Sequence, residues 1–282
     1  MTPVNSPLRV RIGHSPDPDD AFMFYGIAAG HVDTEGFTVE QVLEEIEGLN
    51  RRALRGDLEV SAVSIHAYAH LADRYALMSC GASMGDGYGP CIVAREALEP
   101  GSLAERSIAV PGTLTSAFLA LRLYLGRDFR HETMPFDRIL DAVREGEVDA
   151  GLIIHEGQLT YRGAGLQLVV DLGAWWSERH AGLPLPLGGN VVRRDLGPDM
   201  TRLTRVLRDS IEYGLAHRAE ALEYALDFGR GLDRHLADRF VGMYVNELTR
   251  EYGERGRRGI AAFLGEGAAA GLVPRVQPEF VA

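Results

Sequence analysis

Four short polar clusters carry the residues that could do chemistry in this chain. They are Ser15–Asp20 in SPDPDD, Ser64 and His66 in VSIH, Thr113–Ser116 in TLTS, and His155 in GLIIHE. Each follows a run that reads as a β-strand, so each stands at a strand's carboxyl end. Ligands bind there in open α/β sheets, because loops converge and helix N-termini offer free N–H groups. His155 is the candidate base: an imidazole closing the buried run GLII borders a dry cleft and can take a proton near neutral pH. A core histidine bonded to a backbone carbonyl is the competing assignment. TLTS directly precedes a helical run, so its hydroxyls and N–H groups suit a carboxylate at the positive end of the helix dipole. Thr115 or Ser116 equally suits a plain N-cap.

SPDPDD beside His14 gathers three carboxylates, but the spacing lacks a calcium-loop pattern and the chain has no HExxH. No metal is expected. Pro16 and Pro18 stiffen the loop, and Asp19 or Asp20 is expected to cap the following helix and complement its dipole while still reaching a substrate hydroxyl. Neither GxxxxGK[ST] nor GxGxxG occurs, so no nucleotide cofactor is expected. A hydrolase pairing Ser64 or Ser116 with His155 lacks a GxSxG elbow and a third member. Trp175 and Trp176 suit stacking on an aromatic ligand or filling a core or hinge. Gly81–Gly89 reads as a hinge or turn.

Around these clusters the periodicity alternates between strand and helix. Leu8–Gly13 reads as a strand before the helical run AFMFYGIAAG. Phe37–Val42 precedes a helix over Ile46–Leu54 closed by Gly56, and Val60–Val63 a helix beginning near Ile65. Ser107–Val110 precedes a helix over Ala117–Leu125, and the helix Phe136–Glu145 precedes the strand Ala150–Ile154. Such alternation predicts an α/β fold with mainly parallel sheets. After Leu187 one strand, Gly189–Arg193, is followed by helical sequence from about Pro198 almost to Gly271. The chain is therefore divided into a first lobe at 1–93, a second at 94–187, and a return over 188–282.

At 282 residues the chain accommodates two such lobes. A net charge of -11 without a basic stripe argues against nucleic acid. Arg250–Arg258 is broken by Glu251 and Glu254 and reads as a solvated helix face. Cys80 and Cys91 form no CxxC, so a disulfide is not indicated. The opening MTPVNSPLRVRIGHS shows no secretory leader, and no stretch approaches a membrane span, so a cytoplasmic protein without membrane insertion is expected. A small carboxylated molecule is the expected partner, and a homodimer is compatible with such a chain.

SPDPDDAFMFY, GLNRRALRG, VSAVSIHAYA, AVPGTLTSAF, GEVDAGLIIHE, VDLGAWW and GLPLPLG together resemble the 1,4-dihydroxy-6-naphthoate synthases of the futalosine route to menaquinone. The resemblance covers most of the chain. Some members carry SPCPND in the first motif, where this chain has Asp17 and Asp19. The resemblance implies a fold like the type II periplasmic binding proteins, two lobes with the active site between them. It implies cleavage of cyclic dehypoxanthinylfutalosine to 1,4-dihydroxy-6-naphthoate with release of dihydroxyacetone, without a cofactor. His155 matches the family's base, and Ser64, Thr115, Ser116 and Asn50 match its ligand-binding positions. Asp19 and Asp20 complete the expected substrate contacts. A solute-binding protein of the same fold and a chorismate dehydratase are the alternatives.

Overall fold

The computed structural model describes residues 8–126 and 128–282; residues 1–7, part of the stretch read above for a leader, lie outside it. The chain opens with β1 (Arg9–His14), α1 (Pro18–Ala28), β2 (Thr38–Leu43), α2 (Ile46–Arg55), β3 (Val60–Ser64), the one-turn α3 (Ile65–Tyr68), β4 (Tyr75–Met78) and β5 (Ser83–Gly85). It continues through β6 (Cys91–Ala94), β7 (Ile108–Val110), α4 (Ser116–Leu125), β8 (His131–Thr133), α5 (Phe136–Glu145), β9 (Ala150–Ile153), the one-turn α6 (Gly157–Thr160) and β10 (Gln167–Asp171). Then come α7 (Leu172–Arg179) and β11 (Leu185–Arg193). The tail holds α8 (Asp199–Ala216), α9 (Arg218–Leu226), α10 (Arg234–Tyr244), α11 (Glu247–Arg250), α12 (Gly253–Ala269) and β12 (Phe280–Val281).

These strands form two sheets. One has the order β12-β4-β11-β3-β1-β2 with β5 also on β11, and the other the order β10-β6-β9-β7-β8. The second sheet draws its strands from Cys91 to Asp171, so β6 already belongs to it before residue 94. The sheets are mixed rather than mainly parallel. β1 runs parallel to β2 and β3, and β7 parallel to β8 and β9. β11 runs antiparallel to β3, β4 and β5, and β6 antiparallel to β9 and β10. The reason is where the chain changes sheet. A strand reached through a helix returns to the same end and pairs in parallel. A strand arriving from the other lobe enters at the cleft, where the parallel strands finish, and runs away from it.

The two crossing segments, β5 to β6 and β10 to β11, touch each other. A Cβ on Gly173 would lie 1.9 Å from the carbonyl oxygen of Tyr88 and 2.5 Å from the Gly89 nitrogen. Only glycine permits that approach, which accounts for the glycine of DLGAWW. The Gly81–Gly89 stretch, expected as a hinge or turn, also contains β5.

Burial explains the sequence patterns that position the site. β3, VSAVS, is buried at every residue, as a central strand covered on both faces must be. α1 buries Phe22, Met23 and Phe24 completely between its sheet and the helices α8, α9 and α10. Each such side chain contributes about 1.5–3 kcal/mol by leaving water. The helical tail thus clamps the element that begins with SPDPDD. α2 buries Leu49, Asn50 and Ala53 on one face and ends at Gly56, whose φ of 77° is the left-handed cap conformation. Cys80 and Cys91 are buried and free.

Candidate active site

The SPDPDD loop folds back on its own helix. Pro18 occupies the first helical position, where its missing N–H costs nothing, so the residue before it becomes the cap. That residue is Asp17, which accepts from the Asp20 N–H at 3.4 Å; neither Asp19 nor Asp20 is the cap expected from sequence. Asp20 Oδ2 instead accepts from the Ser15 N–H at 2.8 Å. All three carboxyls are buried, with Asp17, Asp19 and Asp20 at 2%, 6% and 8% exposure.

His155 meets this loop from the other lobe. β9 ends at Ile153, and His155 itself takes φ 53°, a left-handed conformation that residues with a Cβ rarely adopt. Such a backbone costs on the order of 1–3 kcal/mol and persists only where surrounding contacts hold it. Here the Nδ1 of His155 lies 3.1 Å from Asp17 Oδ2, and its ring packs 4.6 Å from that of Phe136. Its Nε2 is buried without a hydrogen-bond partner. Beside it, Arg230 reaches Glu45 at 2.8 Å and Glu156 at 3.6 Å and lies over the Phe136 ring at 4.5 Å. Those contacts join the two lobes.

The TLTS loop serves as a cap and as a tie. Thr115 Oγ1 accepts from the Phe118 N–H at 3.2 Å and donates to the Gly112 carbonyl at 2.9 Å. Ser116 Oγ donates to the Leu187 carbonyl at 2.5 Å and accepts from the His66 N–H at 3.1 Å. Both hydroxyls are therefore engaged within the protein. The first amides of a helix have no partner inside it, and with Phe118 taken by the cap, those of Ser116 and Ala117 remain at the cleft. Ser64 lines the cleft, whereas Asn50 does not. Asn50 is fully buried behind Ser64, donating to its Oγ at 3.0 Å and accepting from its N–H at 2.8 Å. Its amide holds that strand end in place.

The resulting cavity has a volume of about 100 Å³. Ser15, Asp17, Asp19 and Asp20 line one side, Ser64, Thr115 and Ser116 another, and His155 a third. Tyr244, Gln158 and Asn190 also face it, and the motif reading missed all three. Tyr244 donates to Gln158 Oε1 at 2.8 Å and so links the helical tail to the second lobe. Among the described residues neither lysine nor arginine lines the cavity, so an anion there relies on N–H groups and hydroxyls. His66 makes no charge available, since burial pushes it down to about 4 and its Nδ1 donates to the Thr115 carbonyl at 3.1 Å. Trp175 and Trp176 do not reach the cavity. Trp176 is fully buried, with its indole N–H donating to the Pro184 carbonyl at 3.1 Å.

The acids differ in state. Burial opposes charge on Asp17, but the facing His155 and the hydrogen bonds from Asp19 and the Asp20 N–H hold its carboxyl below the usual range. Burial, and then the neighbouring Asp17, push Asp19 and Asp20 well above that range. Asp17, Asp19 and His155 bring one donor atom each within 4.8 Å of one another, the single grouping of that kind among the described residues. The imidazole of His155 faces the Asp17 carboxylate, and the Asp19 carboxyl lies beside them both.

Two α/β lobes joined by two crossings, with an Asp–His pair spanning the cleft, define a periplasmic-binding-protein-like fold. The alkanesulfonate-binding protein of Xanthomonas axonopodis pv. citri shares that fold at 16% identity and a TM-score of 0.71 over 96% of each chain. A protein of Archaeoglobus fulgidus of known crystal structure is 48% identical with a TM-score of 0.90, over 94% of this chain and 98% of that one. Residues 10–269 match the family described as menaquinone biosynthesis, and the chain belongs to that family. The 1,4-dihydroxy-6-naphtoate synthase of Thermus thermophilus is 44% identical over 96% of this chain and 99% of its own. That of Streptomyces coelicolor is 37% identical over 97% and 98%.

Proposed function

We propose that this chain is a carbon–carbon lyase of menaquinone biosynthesis, converting cyclic dehypoxanthinylfutalosine to 1,4-dihydroxy-6-naphthoate with release of dihydroxyacetone. The observation that carries the reading is His155, whose Nε2 is unpartnered in the cleft while Nδ1 is tied to Asp17. A carboxylate can accept only from an N–H, so Asp17 selects the tautomer in which Nε2 is free to take a proton. The amides of Ser116 and Ala117 receive the substrate carboxylate, aided by the dipole of α4. The closed lobes, latched by Arg230 and by Tyr244 on Gln158, keep water from reactive intermediates. Among the described residues no helix is long and apolar enough to cross a membrane. We place the reaction in the cytoplasm.

The test is incubation with cyclic dehypoxanthinylfutalosine and chromatographic detection of the naphthoate. His155→Asn should lose about 10²- to 10⁴-fold in turnover while still binding the naphthoate. Substrate that binds to the wild type but returns unchanged would favour a solute-binding protein.

A further inference from the structure

We propose that Asp19 is the proton donor of this site: it enters the reaction as a carboxylic acid and protonates the oxygen that receives the electron pair when His155 takes a proton. The proposal rests on the function assigned above and concerns a residue so far given only a place in the cavity wall.

Three observations carry it. Asp19 is 6% exposed yet lines the cavity, and its Oδ1 meets no hydrogen-bond donor among the described residues. Its Oδ2 accepts from Ser83 Oγ at 3.2 Å, which is its one side-chain donor. A buried carboxylate with an unpartnered oxygen is costly, so the neutral form is the one that burial selects. The second observation is that Asp17 and Asp19, both buried, bring carboxyl oxygens within 4.8 Å of each other. Two buried like charges that close repel, so the pair favours holding one proton. The third is the facing of Asp17 toward His155 Nδ1 at 3.1 Å. That contact commits Asp17 to its charged form and leaves the proton on Asp19. The same cluster thus presents a free base at His155 and a protonated acid at Asp19, with Asp17 between them. A base and an acid held side by side in one buried cluster suit an acid–base assignment. Asp20, His155 and Tyr244 are the other titratable groups around Asp19, and Asp20 is turned to the Ser15 N–H.

The step balances within the site. His155 Nε2 takes the proton of a substrate hydroxyl, and that oxygen's electron pair forms a carbonyl as the adjacent carbon–carbon bond breaks. The electron pair of the broken bond passes to a conjugated oxygen, which takes the proton of Asp19 and leaves as an enol. The imidazolium and the Asp19 carboxylate then neutralise each other when the emptied cleft admits water. No oxidant or reductant enters.

Asp19→Asn keeps the size and the contact with Ser83 but has no proton to release. Turnover should fall about 10²-fold or more, with affinity for the naphthoate changed less than about threefold. The alkaline limb of the wild-type pH profile, which reports ionisation of the acid, should be missing from the residual activity. Infrared difference spectroscopy at neutral pH should show one protonated carboxyl stretch lost in D19N. Turnover near wild type in a folded D19N, or a spectrum that loses no such band, overturns the proposal. Loss of wild-type activity on dialysis against EDTA, restored by one divalent metal, overturns it too. The infrared band is read without substrate, so a wild type that makes no naphthoate would refute the assigned reaction while leaving the protonation of Asp19 independently tested.

Discussion

Replacing Asp17 by Asn isolates what the carboxylate does for His155. Asparagine is as good a helix cap as aspartate, so the start of α1 should survive. Removing a buried charge also relieves a desolvation cost. The melting temperature should therefore move by no more than a few degrees. Catalysis should respond differently. At the observed 3.1 Å, and with an effective dielectric of about 20, the attraction between carboxylate and imidazolium is about 5 kcal/mol. It acts in full only once His155 has taken its proton, which is the state the bond-breaking step passes through. Half to all of that attraction, about 2.7–5.5 kcal/mol, corresponds to a loss of about 10²- to 10⁴-fold in kcat. The amide can also donate to Nδ1 and so stabilise the wrong tautomer, which pushes in the same direction. The assay is steady-state formation of the naphthoate, with product affinity measured separately by calorimetry. D17N turnover within threefold of wild type, in a folded protein, would refute the reasoning.

Ser116→Ala strips the Leu187 carbonyl and the His66 N–H of their partner, costing about 1–3 kcal/mol of stability and loosening the start of α4. Calorimetry should show naphthoate affinity down by about tenfold, and unchanged affinity would place the carboxylate elsewhere. Gly173→Ala forces the Tyr88 carbonyl aside at the lobe crossing; thermal melting should fall by several degrees, and an unchanged Tm would mean the crossing yields freely. For pH, Asp19 and Asp20 are held above their ordinary values, so the stability they contribute is fully present below about pH 4 and declines as pH rises through their folded-state values. Asp17 works oppositely, its contribution being lost as pH falls through a lowered value. Melting of D19N should hence depend less on pH between about pH 4 and about pH 8 than that of wild type, and parallel curves would contradict the assignment.

Much of the first lobe was legible because its elements are locally coded. Alternation marked β1, the fully apolar run before His155 marked β9, and Gly56 marked the end of α2. β6 and β10 were not legible. They are short and pair antiparallel across a long stretch of chain, and the helix after β10, α7, leads into β11 of the other sheet instead of back to a parallel neighbour. Their direction depends on where the chain crosses between lobes, which no local pattern encodes.

The site divides along the same line. By itself the sequence determined that His155, Ser64 and the TLTS loop stand at strand ends, since strand length and helix onset are local properties, and the resemblance supplied their chemistry. Only the tertiary structure decided which groups meet. Pro18 made Asp17 the cap, and lobe closure brought that carboxylate to His155 and set Asp19 beside them with an oxygen left over. It drew Asn50 behind Ser64 and buried Trp176 in the core, where each polar group found a partner on another element or loop. Burial and pairing are set by the whole packed molecule, and they decide whether a histidine or an aspartate is a base, an acid or a support.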